Sequence, residues 1–193
     1  MAITFNNLGR ALGTGICCGI AEFVWHTTAQ KMGMIIAGLE FEPSCAPGDD
    51  PLVLGSEVLD KEFVSSVIGC PIGEEVVFRG LLQKALTQGI TFCFPQLQAP
   101  SPIGISKASL LSVVTIGVGF GLAHYPDYKK GGAFPSTMAA IAGIIYGVVR
   151  EKFGLTSSIA AHMASNLSTG LLDKYWTTLL EMKWEKELKL QRS

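Results

Sequence analysis

The residues that could do chemistry in this sequence are Glu74, Glu75, Arg79, His124, His162 and Asn166. All stand within or beside apolar runs, where polar and ionised side chains are costly unless they are paired or used. Cys70 to Leu82 holds two adjacent carboxylates and one guanidinium. Glu75 and Arg79 are four residues apart, so on a helix they share a face and can form an ion pair. Glu74 lies about 100° around the helix from Glu75. It shares its face with Phe78 and is left without the arginine. A carboxylate left over in a low-dielectric setting is suited to be a general base. Phe120 and His124 share a helical face, as do His162 and Asn166. His162 lies about 10 Å into its apolar run at 1.5 Å per residue. A lipid-facing helix would not place His and Asn there, so this face is expected to look inward.

Each feature also has a plain structural reading. Glu75 and Arg79 could be a buried ion pair, and Glu74 a carboxylate reaching water at a helix end. His124 could be an interface histidine, and His162 with Asn166 a hydrogen bond between helices. Three polar patches on three apolar segments point more naturally to one site. Glu22 and His26, four apart in the first apolar run, could pair, but nothing else converges on them.

The elements that must position these residues read as helices. The chain has 193 residues, enough for one domain with a core. It is 48% hydrophobic and only 16% charged, with a mean hydropathy of +0.37. Soluble domains carry about 25% charged residues. The deficit, with 22 glycines, points to an all-α, multi-span transmembrane bundle, because Gly is common where membrane helices touch. The expected segments are residues 11–30, continuing apolar through 32–39, then 63–86, 108–123, 133–149 and 153–172. Five to seven spans are expected, in a single domain covering 1–193. Pro71 predicts a kink or a helix start one turn before Glu74. Residues 40–51 read as a loop and 52–64 as an amphipathic interfacial stretch. Residues 89–94 read as a short apolar run of their own. Residues 173–193 mix Lys and Glu at helical spacing and read as a polar helical tail. Lys129, Lys130 and this tail outnumber the cations of the other side, which favours a cytoplasmic tail.

The net charge of −1 and the lack of a basic stripe set nucleic acid aside. The five cysteines are odd in number and lack C-x-x-C spacing, so they read as reduced small hydrophobes rather than a disulfide framework or a zinc site. No cleaved leader is expected at the N-terminus.

The stretch Glu74-Glu75-Val76-Val77-Phe78-Arg79-Gly80 resembles the E-E-x-x-x-R motif of the CPBP family. These are the intramembrane CAAX prenyl endopeptidases of the Ras-converting type and the bacterial bacteriocin-processing and self-immunity (Abi) proteins. Phe120 to His124 resembles the family's F-x-x-x-H, and His162 to Asn166 its H-x-x-x-N/D. The three motifs occur in the expected order between Cys70 and Leu172, the motif core. The resemblance implies a transmembrane bundle with a polar cavity and a hydrolase that cleaves peptide bonds near the membrane surface. It implies that Glu74 and His124 hold and activate a water, with Glu74 as base. His162 and Asn166 would donate to the oxyanion. Glu75 and Arg79 would fix the motif helix, and Phe78 and Phe120 would form an apolar wall. Substrates would be peptides, prenylated CAAX-type peptides among them.

Two alternatives stay open. Glu74, His124 and His162 form a carboxylate and two-histidine set that can hold catalytic zinc. H-E-x-x-H is absent and three helices would supply the ligands, so a metal-free glutamate mechanism with no cofactor is the expectation. The other alternative is a non-catalytic membrane binding protein of the immunity type. A proton-coupled transporter would show repeats, and none is present.

Overall fold

The computed structural model describes residues 5–37, 64–125 and 133–172, with side chains placed at 5–21, 24, 64–125 and 136–172. The expected loop at 40–51, the interfacial stretch before residue 64, Lys129, Lys130 and the polar tail lie outside these residues. So do the side chains of Glu22 and His26.

Five helices make up the described chain. Helix α1 is Phe5–Ala37. Helix α2 runs over residues 64–93. Helix α3 is Lys107–Ala123 and α4 is Ala133–Phe153. Helix α5 covers residues 155–172. A short 3-10 turn, Pro95–Gln98, follows α2. Among the described residues the β pairing is an isolated bridge between Pro100 and Ser106. The apolar run at residues 89–94 is not separate, because α2 continues to Cys93.

Helix α2 carries the acidic motif, and its backbone alternates. Ser65–Gly69 and Val76–Leu82 are π-helical, while Cys70–Glu75 and Gln83–Cys93 are α-helical. A π turn holds more residues than an α turn, because its bonds run i→i+5 rather than i→i+4. Mixing the two brings the average turn close to four residues. Val67, Pro71, Glu75, Arg79 and Gln83 are accordingly all buried, one every fourth residue. A pure α-helix would rotate this row off the interface. Pro71 stands in the first turn of the α-helical segment Cys70–Glu75, the position where a missing backbone N–H is tolerated.

Local signals fix the other boundaries. Ser106 caps α3, its Oγ accepting from the Ser109 amide at 3.0 Å. Gly154, with φ of 92°, ends α4 in the left-handed region that favours glycine. Its amide donates to the Arg150 carbonyl at 2.9 Å, and its own carbonyl accepts from Ser157 to open α5.

Small residues let the helices approach closely. A Cβ at Gly117 would lie 2.5 Å from Ile144, and one at Gly121 would lie 2.3 Å from the Ser136 carbonyl, so α3 packs on α4 through glycine. Gly15 and Gly19 of α1 are pressed in the same way against Ala161 and Ser165 of α5. This is a small-x-x-x-small contact, in which small side chains let helix backbones approach closely.

The distribution of side chains is inverted relative to a water-soluble bundle. Glu75, Arg79, Gln83, Ser112, Ser158 and Ser165 are fully buried, while Ile72, Val77, Leu81, Leu111, Val118 and Leu122 are exposed. Among the described residues no helix is long and apolar enough to cross a membrane. The five to seven expected spans are therefore not seen as such. The reason lies in the same inversion. Inward-facing Glu, Arg, Gln, Ser, His and Asn lower the mean hydropathy of α2 and α5. Helix α4 ends in Arg150, Glu151 and Lys152, and α3, at 17 residues, is about 26 Å long against a hydrocarbon thickness of about 30 Å.

Candidate active site

Helices α2, α3 and α5 bring Glu74, Glu75, His124 and His162 together. Glu75 and Arg79 share the buried row of α2, and both are excluded from solvent. Glu75 Oε1 lies 3.5 Å from Arg79 Nη1, the expected i,i+4 ion pair. The arginine is held from two other sides. Its Nη2 donates to the Gly143 carbonyl at 2.9 Å, and its Cζ lies 4.5 Å from the centroid of the Phe120 ring. A Cβ at Gly143 would lie 2.9 Å from that Nη2, so glycine makes room for the guanidinium.

Glu75 also has a partner that helix phase did not reveal. His162 Nδ1 lies 3.1 Å from Glu75 Oε1, and Ser158 Oγ donates to Glu75 Oε2. The Ser158 hydroxyl also contacts the Tyr146 carbonyl at 3.0 Å. The Tyr146 ring stacks on His162 at 4.6 Å with 19° between the planes. A carboxylate only accepts, so His162 Nδ1 carries a hydrogen in this contact. That leaves Nε2 facing the other carboxylate, and His162 Nε2 lies 3.7 Å from Glu74 Oε2.

His124 approaches from the end of α3. Its Nδ1 donates to the Phe120 carbonyl at 2.8 Å, which fixes the tautomer in the same way. Its Nε2 lies 3.8 Å from Glu74 Oε1. Glu74 is part-exposed, at 29% for its side chain, as is His124 at 25%. Both stand at the end of the bundle where α3 terminates. Phe120 packs edge-on to Phe78 at 5.1 Å and against His124 at 4.4 Å.

Asn166 does not join this cluster directly. Its Nδ2 donates to the Ser66 carbonyl at 3.0 Å, tying α5 to the first turn of α2. An amide nitrogen has two hydrogens, so one donor remains for another partner.

Ser158, Tyr146, Gln83 and Gly143 were not singled out from the sequence. Two of them extend rows already recognised. Ser158 stands four residues before His162, and Gln83 four after Arg79. Gln83 is fully buried. Its Nε2 donates to Glu151 at 2.9 Å and to the Gly147 carbonyl at 3.3 Å. Carrying the i,i+4 count one step further would have found both. Tyr146 and Gly143 lie in the uncharged run of α4 and carry no such signal.

Chemically, the cluster is a carboxylate with a histidine Nε2 on each oxygen, at separations too long for direct hydrogen bonds. Polar groups across such a gap are suited to share a water. Among the described residues no group of three or more His, Cys, Asp or Glu is arranged to hold a metal ion.

Residues 61–168, slightly more than half of the chain, match the family model described as type II CAAX prenyl endopeptidase, Rce1-like. Comparison with curated proteins and with solved structures gives no match.

Proposed function

The chain belongs to the Rce1-like family of type II CAAX prenyl endopeptidases, and on that premise we propose that it is an integral membrane endopeptidase whose base is Glu74. The family makes the chain a peptide-bond hydrolase. The observation that carries the assignment of the base is the placement of Glu74 between two histidines, 3.8 Å from His124 Nε2 and 3.7 Å from His162 Nε2.

In this reading a water sits among Glu74, His124 and His162. Its hydrogens are accepted by Glu74 and by the lone pair of His124 Nε2. Glu74 takes a proton as the water oxygen attacks the peptide carbonyl carbon. The carbonyl π bond breaks and negative charge gathers on its oxygen. His162 binds a solvent proton at Nε2 before the attack and donates from there to that oxyanion, while its Nδ1–H keeps its hydrogen bond to Glu75. The free Asn166 hydrogen is the second donor. Collapse of the intermediate breaks the C–N bond, and Glu74 returns its proton to the leaving amine. Arg79 and Ser158 hold Glu75 in place, so that the carboxylate orients His162.

The membrane reading rests on the inverted side-chain distribution. A bundle with Ile72, Val77, Leu81 and Leu122 outside and Arg79, Glu75 and Gln83 inside is matched to lipid. Substrates are peptides near the membrane surface, with prenylated CAAX-type C-termini the class named by the family.

Zinc is the alternative that the donor types would allow: Glu74, His124 and His162 would hold the ion, which would supply an activated water, but among the described residues they are not arranged to hold one. The test is cleavage of prenylated and unprenylated peptides by detergent-purified protein, with and without chelator. Cleavage that survives chelation and is lost in Glu74→Gln supports the glutamate mechanism. Cleavage that chelation removes and zinc restores supports the metal. Full biological effect of Glu74→Gln without any cleavage would instead point to an immunity-type binding role.

A further inference from the structure

A cleft of about 660 Å³ lies between α1 and α4, and none of its lining residues belongs to the carboxylate cluster. Its walls include Cys17 and Ala21 on α1 and Ile141 and Ile145 on α4. Among the described residues Arg10 is the only charged one that lines it, and it does so with Phe153 at the end of α4. The volume falls within the roughly 300–1,000 Å³ typical of ligand clefts.

The cleft has a polar end and an apolar length. Helix α1 runs parallel to α5, with Gly15 against Ala161 and Gly19 against Ser165. Arg10 therefore comes level with the first turn of α5, beside the Arg150–Lys152 end of α4. From Arg10 to Ala21 the cleft follows α1 for about 17 Å at 1.5 Å per residue. One leaflet of a bilayer has a hydrocarbon depth of about 15 Å, half of the roughly 30 Å core. The lining is thus the length of one acyl chain, with a cation at the end where the helices terminate. Arg10 is exposed and pairs with no carboxylate among the described residues. Gly13 faces this space. A Cβ there would meet nothing within 4 Å, in contrast to Gly15 and Gly19 on the packed side of the same helix.

We propose that this cleft binds an anionic phospholipid, with one acyl chain lying along α1 and the phosphate on Arg10. The inference rests on the membrane reading above. A guanidinium makes charge-assisted, bidentate contacts to phosphate, which supplies the headgroup preference.

The test uses the full chain in nanodiscs of phosphatidylcholine alone or of equal parts phosphatidylcholine and phosphatidylglycerol. Native mass spectrometry after detergent transfer counts the retained lipid. Wild type should retain phosphatidylglycerol in preference to phosphatidylcholine. Arg10→Gln should lower that preference by roughly tenfold, the scale of one hydrogen bond to a charged group. Gly13→Phe should fill the cleft and abolish retention, with unchanged helical content and melting temperature. Glu74→Gln should retain lipid like wild type. Equal retention of both lipids, or an Arg10→Gln variant that binds like wild type, overturns the proposal. A Gly13→Phe variant that melts early in lipid-free detergent would show that the chain itself occupies the cleft, and would also overturn it. A chain that does not enter the nanodiscs at all would instead remove the membrane reading.

Discussion

Glu75 Oε1 and His162 Nδ1 lie 3.1 Å apart, joined across 87 positions of sequence. The contact makes the two adjacent glutamates partners of one histidine, Glu75 behind the ring and Glu74 in front of it. Glu75 is saturated by Arg79, Ser158 and His162, while Glu74 stays half-open and meets only the two Nε2 atoms within the cluster. The division of labour between adjacent carboxylates follows from what surrounds each one.

Replacing Glu74 by Gln should abolish most cleavage and leave the fold intact. Loss of a general base costs about 10²–10⁴ in rate. The side chain is part-exposed, so the melting temperature should stay close to that of wild type. Peptide cleavage and a circular dichroism melt on the same preparation would check both halves.

Glu75→Ala should behave in the opposite way, as a folding defect first. It leaves the buried Arg79 guanidinium without its carboxylate, which costs about 3–5 kcal/mol. The double variant Glu75→Gln with Arg79→Met should cost less than the sum of the single changes, because the pair acts as a unit. Denaturation of all three variants in one detergent would measure this coupling. Additive losses would argue against the pair.

Ser158→Ala should lower kcat and leave KM nearly unchanged. The hydroxyl touches Glu75 and the Tyr146 carbonyl, so its loss loosens the carboxylate that orients His162. A neutral-to-charged hydrogen bond contributes about 1.5–3 kcal/mol, so roughly a tenfold fall in kcat is expected. Ser158→Thr, which keeps the hydroxyl, should recover part of it. A rise in KM alone would place Ser158 in substrate binding instead.

Two glycines of α3 should respond in opposite directions to alanine. Gly119 faces open space, and Gly→Ala inside a helix there should stabilise by about 0.5–1 kcal/mol. Gly121 has the Ser136 carbonyl where its Cβ would go, and overpacking there should cost about 1–3 kcal/mol. Because Gly121 lies one turn before His124, its variant should also lose activity. Thermal melts with parallel cleavage rates would separate the two.

Much of the site was legible because its chemistry is written at helical spacing. Glu75 with Arg79, Phe120 with His124 and His162 with Asn166 are each four apart, and each pair lies on one helical face as expected. Phase also separated Glu74 from the Glu75–Arg79 pair, but the apolar run placed Glu74 in a low-dielectric setting and its side chain is part-exposed. The Glu75–His162 contact did not, because spacing within one helix says nothing about which face of another helix it meets. Asn166 bonding to Ser66 is a second case. The alternating backbone of α2 was hidden as well. It is set by the need to keep a four-residue row buried against α4, a tertiary demand that local propensity does not express. The expected spans were drawn from runs of apolar residues, and the structure divides those same runs between an apolar outside and a polar inside.

The four-residue step of α2 is matched on the helix that receives it. Arg79 donates to the Gly143 carbonyl and Gln83 to the Gly147 carbonyl, so both helices are graduated in the same unit. Such a contact behaves like meshed gear teeth. Sliding α2 by a fraction of a turn would strand both side chains between acceptors in a dry interior. Sliding it by one four-residue step of α4, about 6 Å at 1.5 Å per residue, would set Arg79 against Gly147. Any motion of Glu74 relative to α4 is thereby quantised: the carboxylate is either in gear beside its histidines or a full notch away from them.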